Sequence, residues 1–291
     1  VGVAWISKTG RSDRLWIASD SRLSGDTTIW DECPKILALP RRDAALAFYG
    51  STSQAYPLML QMSNSVLGHR PAMDGSLELN LLLEHLQRVA NSLLENLQVD
   101  SGIRGSVATE YFKSFDDMVM AAGFSRQNGL VIRTLRYEPT VAQWKFAKVR
   151  SQTRIGPNKP FHIFGDKTAR HRYHSLFEER LKKAKKLKTE KPLELEPLEV
   201  LWDFVKLPES TDEPLPAGHR PRSIGGEVQV MQIIAGAQTT PVAVRRSIGG
   251  KIQTSLLGRK LLSGENVQTP LVEETGGVQR LTVSATDQWT P

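Results

Sequence analysis

The order of the apolar segments along the chain constrains its fold more than any other feature. Residues 1–6 and 15–18 are apolar and are separated by a polar stretch with a glycine, which predicts a β-hairpin. Residues 36–39 and 44–48 predict a second pair of strands, connected by a turn at residues 40–43. Four short strands in sequence indicate that an antiparallel sheet opens the chain.

Helices and further strands follow this opening. Helices are predicted at residues 55–66, 77–97, 167–187 and 197–205, and strands at residues 115–124, 129–137, 144–149, 161–166 and 227–234. An order of strands, two helices, strands, two helices and a strand predicts an α+β fold in which helices lie outside two packed, mainly antiparallel sheets. We therefore expect a four-layer αββα sandwich at residues 1–235, with residues 236–291 as a C-terminal extension of strands and loops.

Composition excludes several classes of protein. Apolar residues make up 40% and charged residues 24% of the chain, which is typical of a globular protein. There is no apolar stretch of about 18 residues and no basic-then-apolar start, so we expect neither a membrane span nor a signal peptide. The single cysteine, Cys33, excludes an internal disulfide framework and fits a cytoplasmic protein with a small buried thiol.

Histidines do not form a recognisable metal site. His171 and His174 are three residues apart, but the only carboxylates near them in sequence are Glu178 and Glu179. The chain also lacks a glycine-rich phosphate loop and a Gly-x-Ser-x-Gly motif. We therefore expect no metal and no cofactor.

The net charge of +7 is concentrated in one segment. From Arg180 to Lys191 there are seven cationic residues and one acid, whereas residues 192–216 hold seven acids and one lysine. Residues 180–216 therefore form a charge-segregated insertion. The basic half is either the solvated outer face of a helix or a surface for nucleic acid or an acidic partner.

Six short motifs occur in an order that resembles a known family. They are Val-Gly-Val at 1–3, Ile-Ala-Ser-Asp-Ser-Arg at 17–22, Pro-Lys-Ile at 34–36, Ala-Phe-Tyr-Gly-Ser-Thr-Ser-Gln-Ala at 47–55, Phe-Gly-Asp at 164–166 and Ser-Ile-Gly-Gly-Glu-Val-Gln-Val at 223–230. Over residues 1–234 the chain resembles the proteasome β-subunit family and its bacterial ring-peptidase relatives, which are N-terminal-nucleophile hydrolases.

The resemblance implies a specific chemistry. In the family, the hydroxyl of an N-terminal threonine attacks the peptide carbonyl, and its own α-amine or a neighbouring group takes the proton. By resemblance, Lys35 is the lysine that lowers the proton affinity of the site, Asp20 holds that lysine, and Arg22 braces the turn. Gly50, or Ala47 beside it, would lie near the oxyanion hole and substrate pocket.

The resemblance singles out two further positions, of which Asp166 departs from the family and Ser223 matches it. Asp166 stands where the family has a serine at the start of its third helix, and Ser223 opens the motif before a late strand. The resemblance also implies peptide substrates, a cytoplasmic location and a homo-oligomeric ring or stacked ring. It leaves open whether an ATP-dependent unfoldase takes part.

Other interpretations of these residues stay open. Asp20 can simply bond backbone N–H groups in a turn. Lys35 can point to solvent or pair with Asp31 or Glu32. The acid that the family carries before its late glycine pair is absent from the stretch at 219–223, His-Arg-Pro-Arg-Ser.

The position of the nucleophile is the largest departure from the family. The family places its threonine about three residues before the pair matched to Val1 and Gly2, and valine offers no nucleophilic atom. We expect the start at valine to reflect processing, truncation, an incomplete record or an alternative start codon. Three hypotheses follow: a threonine-type peptidase whose nucleophile precedes Val1, a catalytically silent homologue, and a binder of nucleic acid or an acidic partner through the segment from Arg180 to Lys191.

Overall fold

The computed structural model describes residues 1–9, 12–24, 29–50, 52–95, 119–149, 155–156, 160–206, 224–236, 238–248, 250–262, 264–274 and 278–284. These residues form an α+β fold with two mainly antiparallel sheets and five helices. The helices are α1 (Thr52–Leu67), α2 (Arg70–Met73), α3 (Leu79–Glu95), α4 (Lys167–Lys183) and α5 (Glu196–Lys206).

The strands are β1 (Gly2–Thr9), β2 (Ser12–Ser19), β3 (Leu23–Ser24), β4 (Ile29–Trp30), β5 (Ile36–Ala38), β6 (Ala44–Phe48), β7 (Val119–Ser125), β8 (Gly129–Glu138), β9 (Gln143–Lys148), β10 (Phe161–Phe164), β11 (Gln229–Ile234), β12 (Thr239–Ile248), β13 (Lys251–Leu256), β14 (Arg259–Lys260), β15 (Asn266–Glu273) and β16 (Val278–Ser284).

The first sheet has nine strands and contains both ends of the described chain. Its main path runs in the order β10-β1-β2-β11-β12-β13-β14, while β15 pairs in parallel with β12 and β16 pairs with β15. The second sheet has five antiparallel strands in the order β5-β6-β7-β8-β9, and β3 and β4 form a separate ribbon. Strands after residue 236 thus continue the first sheet through the pairing of β12 with β11.

The expectation that the four predicted strands at residues 1–48 share one sheet is wrong. The hairpin β1–β2 belongs to the first sheet, whereas β5–β6 belongs to the second. One strand of each hairpin is buried on both faces, as Trp5 and Ala4 in β1 and Leu46 and Ala45 in β6 illustrate with 0% exposure. Apolar residues on both faces show that a strand is covered twice, but they do not show which strand lies beside it.

Three apolar clusters explain how the elements stack. Trp5 packs with Phe177 of α4 and Trp202 of α5, whereas its neighbour Ala4 belongs to a cluster that contains residues of both sheets, among them Ala45. A third cluster joins the second sheet to α1 and α3. Successive residues of β1 face opposite sides of the sheet, so one strand contacts both helices and the other sheet.

Helix α4 is shorter than predicted, since it ends at Lys183 rather than at residue 187. Lys185 adopts a left-handed backbone with φ of 52°, and Lys186 N–H donates to the Leu181 carbonyl at 2.9 Å. A left-handed residue with such a closing bond is a common way for a helix to end. The leucine spacing continues past the end, but the chain has already turned.

The charge-segregated segment pairs with itself across this turn. Arg180 contacts Glu199 at 3.1 Å and Asp203 at 2.5 Å, and Lys186 forms ion pairs with Glu194 and Glu196. The basic end of α4 therefore lies against acidic side chains of α5 and of the segment just before it. Residues 207–216, the rest of the acidic half, lie outside the described residues.

Among the helices described, none combines the length and apolar character needed to cross a membrane. Cys33 is buried, with 4% of its surface exposed, as its expected role as a small core residue requires.

Candidate functional site

A buried carboxylate joins the amino end of β1 to a lysine from the second hairpin. The α-amine of Val1 donates to Asp20 Oδ1 at 2.6 Å, and Lys35 Nζ lies 3.0 Å from both oxygens of Asp20. Asp20 has no exposed surface, and Val1 and Lys35 are 7% and 8% exposed. The three groups form a compact unit with two cations and one anion.

Strand register places the first two of these groups together. In the β1–β2 hairpin Gly2 is paired with Ser19, so the next positions outward are residues 1 and 20. The Val1 carbonyl accepts hydrogen bonds from Asp20 N–H at 3.1 Å and from the Ser19 hydroxyl at 3.2 Å. The local hairpin alone therefore brings the Val1 amine to the Asp20 carboxylate.

Gln229, at the start of β11, holds Asp20 and Lys35 in place through their backbones. Its Oε1 accepts from Lys35 N–H at 2.8 Å and from Ile36 N–H at 3.2 Å. Its Nε2 donates to the carbonyls of Asp20 at 3.0 Å and Cys33 at 3.1 Å. The side chain is fully buried, so one amide satisfies four backbone groups from the two segments that carry the site.

Burial and charge act in opposite directions on these groups. Burial alone would raise the pKa of the Asp20 carboxyl, but the Val1 ammonium and Lys35 hold that pKa below its ordinary value. Burial lowers the pKa of the Val1 amine and Lys35 lowers it further, although Asp20 opposes both effects. The site therefore stabilises an ionised carboxylate beside an amine that loses its proton more readily than usual.

Arg22 braces the adjoining turn. The Arg22 guanidinium donates two hydrogen bonds to the Asp31 carboxylate, at 2.5 Å and 2.9 Å. The backbone N–H of Arg22 donates to the Gly225 carbonyl at 3.1 Å. Gly226 has φ of 71°, and a Cβ there would overlap the Asp31 carbonyl and the Ser21 hydroxyl. A side chain at this position is thus excluded by both backbone conformation and space.

A cleft of about 450 Å³ opens at Val1 and Lys35. Its other lining residues are Arg22, Leu23, Phe48, Tyr49, Gly50, Thr52, Gly165, Asp166, Lys167, Ala169, Arg170 and Ile224. Gly50 has φ of 87°, and Asp166 caps α4 by accepting from Thr168 N–H at 2.8 Å and Ala169 N–H at 3.3 Å. The end of β6 and the start of α4 therefore form walls around the amino end of β1.

The structure brings together most of the residues singled out from the sequence, with two exceptions. Asp20 and Lys35 are in contact, and Arg22, Gly50 and Asp166 lie around the same cleft. Ala47 is fully buried in the cluster between the sheets and is not among the described residues that line the cleft. Ser223 lies outside the described residues.

Sequence reasoning missed two contributors. The α-amine of Val1 contacts Asp20, and the resemblance assigned no role to that group. Gln229 stands in the sequence as a glutamine between two valines of a strand, a pattern that gives little sign of a structural role. The carboxamides at positions 229 and 232 of that strand look alike in sequence, and only their contacts distinguish them.

The arrangement can move a proton at the amino end of β1. An amine with a lowered pKa, held by a carboxylate and a lysine, can accept a proton from a hydroxyl or thiol beside it. The Val1 side chain carries neither group. Over the described part of the chain, no cluster of three or more His, Cys, Asp or Glu residues could hold a metal ion.

Comparison with known proteins does not add to this picture: no family model matches the chain, and no curated protein matches it significantly.

Proposed function

We propose that this protein has the four-layer αββα fold of the N-terminal-nucleophile hydrolases and that its cleft is a peptidase site of the proteasome type. The observation that carries this proposal is the buried Asp20–Lys35 pair, which lies at the amino end of β1 at the base of the cleft. A peptide carbonyl in the cleft would be approached from the amino end of β1.

The burial of this unit favours function over a structural role. Taking two cations and a carboxylate out of water is costly, and apolar side chains of similar volume would often be as stable. The carboxylate also accepts from the N–H groups of Arg22 and Gly225, both at 3.3 Å, so its position is held from several directions. Perturbed titratable groups at the base of a cleft are typical of catalytic sites.

The three apolar clusters support the proposed fold. Helices α4 and α5 share a cluster with the first sheet, both sheets share a second, and α1 and α3 share a third with the second sheet. This is the packing order that a helix–sheet–sheet–helix sandwich requires.

The identity of the reacting side chain is the point to test first. Intact mass and N-terminal fragment ions of the protein from its native source would identify the residue that carries the free amine. A terminal threonine, serine or cysteine is expected for the peptidase. A terminal valine would favour the alternative, a silent homologue that acts as a binding or structural subunit.

A gain-of-function variant tests the geometry directly. Val1→Thr, prepared with a free terminal amine, places a hydroxyl next to the amine that Asp20 holds. We expect it to hydrolyse fluorogenic peptides and to be acylated by a β-lactone, whose ring opens to leave an ester on the threonine oxygen. Chains that begin with Val1 should do neither.

Two controls make the result specific. Val1→Ser should react in the same way, whereas the double variant Val1→Thr/Lys35→Ala should lose reactivity while its circular dichroism shows whether it remains folded. A folded Val1→Thr protein that neither hydrolyses any peptide of a mixed library nor forms the ester would overturn the peptidase proposal.

A homo-oligomer is the second part of the proposal. Helix α1 has no charged residue along its 16 positions, yet Leu60 and Leu67 are 52% and 54% exposed. Depletion of charge with exposed apolar side chains is typical of surfaces that bind other proteins. Light scattering at micromolar concentration should give a mass of several chains, and a monomer would contradict this part.

A further inference from the structure

The start of α4 brings two cations into the cleft. Lys167 and Arg170 both line it; Lys167 is exposed and Arg170 is half-buried. Among the residues that the structure describes, neither side chain has an ion-pair partner. Two cationic residues without an ion-pair partner in the described part of the chain therefore line the cleft.

The other charged groups of the cleft are already engaged. Asp20 is shared by the Val1 ammonium and Lys35, and Asp31 takes both arms of the Arg22 guanidinium. These groups belong to the framework of the site. A ligand that meets them does so after their partners have satisfied most of their hydrogen-bonding capacity.

The remaining lining carboxylate, Asp166, caps the start of α4. Asp166 Oδ1 accepts from the Thr168 and Ala169 N–H groups at the first turn of α4. Including the direct partners of the lining residues, the cleft has five cationic groups and three carboxylates when the Val1 amine is protonated. The cleft therefore carries an excess of positive charge.

Part of the remaining wall is apolar. Phe48, Ile224 and Leu23 line the same space, so the cleft offers apolar surface together with its unpaired cations. A group that matches both is a carboxylate on a short aliphatic stem. Side chains of glutamate and aspartate have this form.

We propose that the cleft selects peptides with an acidic side chain, whose carboxylate is bound by Lys167 and Arg170. The proposal rests on the proposed function only in taking a peptide as the ligand, because binding by charge does not require hydrolysis. Lys167 and Arg170 are then specificity-determining residues.

Binding can be measured without any reaction. Isothermal titration calorimetry of the full chain with three acetylated tripeptide amides, Ac-Ala-Ala-Glu-NH2, Ac-Ala-Ala-Gln-NH2 and Ac-Ala-Ala-Lys-NH2, varies only the end of one side chain. We expect the glutamate peptide to bind about five- to tenfold more tightly than the glutamine peptide, and the lysine peptide to bind most weakly. The difference should shrink in 0.5 M NaCl, where screening acts over about 4 Å.

Two variants and a matched control locate the effect. Lys167→Met and Arg170→Met should each reduce the preference for glutamate over glutamine by about two- to fivefold, the range for partly exposed charge pairs. Lys182→Met removes an exposed charge from the same helix but outside the described lining of the cleft, so it should leave the preference unchanged. Thermal melting of each variant shows whether the fold is intact.

The outcomes separate this proposal from the peptidase proposal. Equal affinity for the glutamate and glutamine peptides would overturn the acidic preference. So would a loss of this preference in Lys182→Met equal to the loss in Lys167→Met and Arg170→Met. Full competition with the peptide by a single-stranded oligonucleotide would also overturn it if Lys167→Met and Arg170→Met left that competition unchanged. A preference for glutamate in binding, together with an unreactive Val1→Thr variant, would leave the acidic preference standing and remove the peptidase. Hydrolysis by Val1→Thr, together with no preference for glutamate in binding, would leave the peptidase proposal standing and remove the acidic preference.

Discussion

Gln229→Leu should destabilise the protein strongly although it changes no charged group. The Gln229 side chain has no exposed surface and makes four hydrogen bonds of 2.8 to 3.2 Å with backbone groups of the two segments that carry Asp20 and Lys35. Leucine has nearly the same volume, so the substitution removes the bonds without opening a large cavity. Four backbone groups then lose this partner inside the protein.

The magnitude follows from the number of bonds. A hydrogen bond contributes about 1 kcal/mol net, and a buried group left without a partner costs about 1–3 kcal/mol. Four bonds therefore predict a loss of roughly 4 kcal/mol in the free energy of unfolding. Domains of this kind are stable by about 5–15 kcal/mol, so the loss is a large fraction of the total.

Urea denaturation followed by circular dichroism at pH 7 measures this loss. Gln232→Leu is the matched control, because Gln232 lies on the same strand and is 2% exposed, yet its Nε2 has no hydrogen-bond partner among the described residues. We expect that control to change the free energy of unfolding by less than about 1 kcal/mol. Similar slopes of the free energy against urea would confirm that both variants unfold from comparable folded states.

The comparison can refute the argument. If Gln229→Leu and Gln232→Leu are destabilised by the same amount, within about 0.5 kcal/mol, the four bonds are not what makes residue 229 important. A glutamine at either position would then count only as a buried polar side chain.

Two further predictions concern the buried charges and the glycine turn close to the hydrogen bonds of Gln229. Asp20→Asn should lower the free energy of unfolding by about 3–5 kcal/mol at pH 7, because two buried cations lose their carboxylate. Since the pKa of Asp20 is lowered in the folded state, the ionised carboxylate stabilises the fold above about pH 4, and this stabilisation is lost as the pH falls through the folded pKa. Below about pH 4, urea unfolding should therefore show a smaller difference in the free energy of unfolding between the wild-type protein and Asp20→Asn. A difference that stays constant with pH would contradict the lowered pKa. Gly226→Ala should cost at least about 3 kcal/mol through overlap and backbone strain, measured in the same way. Gly236→Ala, at nearly the same φ of 72° but with nothing within 4 Å of the added Cβ, should cost about 1 kcal/mol, and equal costs would show that overlap is unimportant.

Local pattern was a good guide to the elements and to part of the site. Predicted strands and helices recur at nearly the observed positions, as with the predicted helix at 197–205 and the observed Glu196–Lys206. The hairpin of β1 and β2 needed only its own residues, and its register alone brings Val1 to Asp20. The end of α4 was missed because leucine spacing continues beyond the turn at Lys185.

Periodicity and turn residues are properties of neighbours in the chain, so they were sufficient for the strands, the helices and the β1–β2 contact. The division of two similar hairpins between two sheets required the folded molecule, because buried faces do not specify which strand lies beside them. The same holds for the hydrogen bond between Gln229 and Lys35, which are 194 residues apart in sequence, and for the pairing of Arg180 with Asp203. Hydrogen bonds and ion pairs act over a few ångströms, and only packing brings such distant residues that close together.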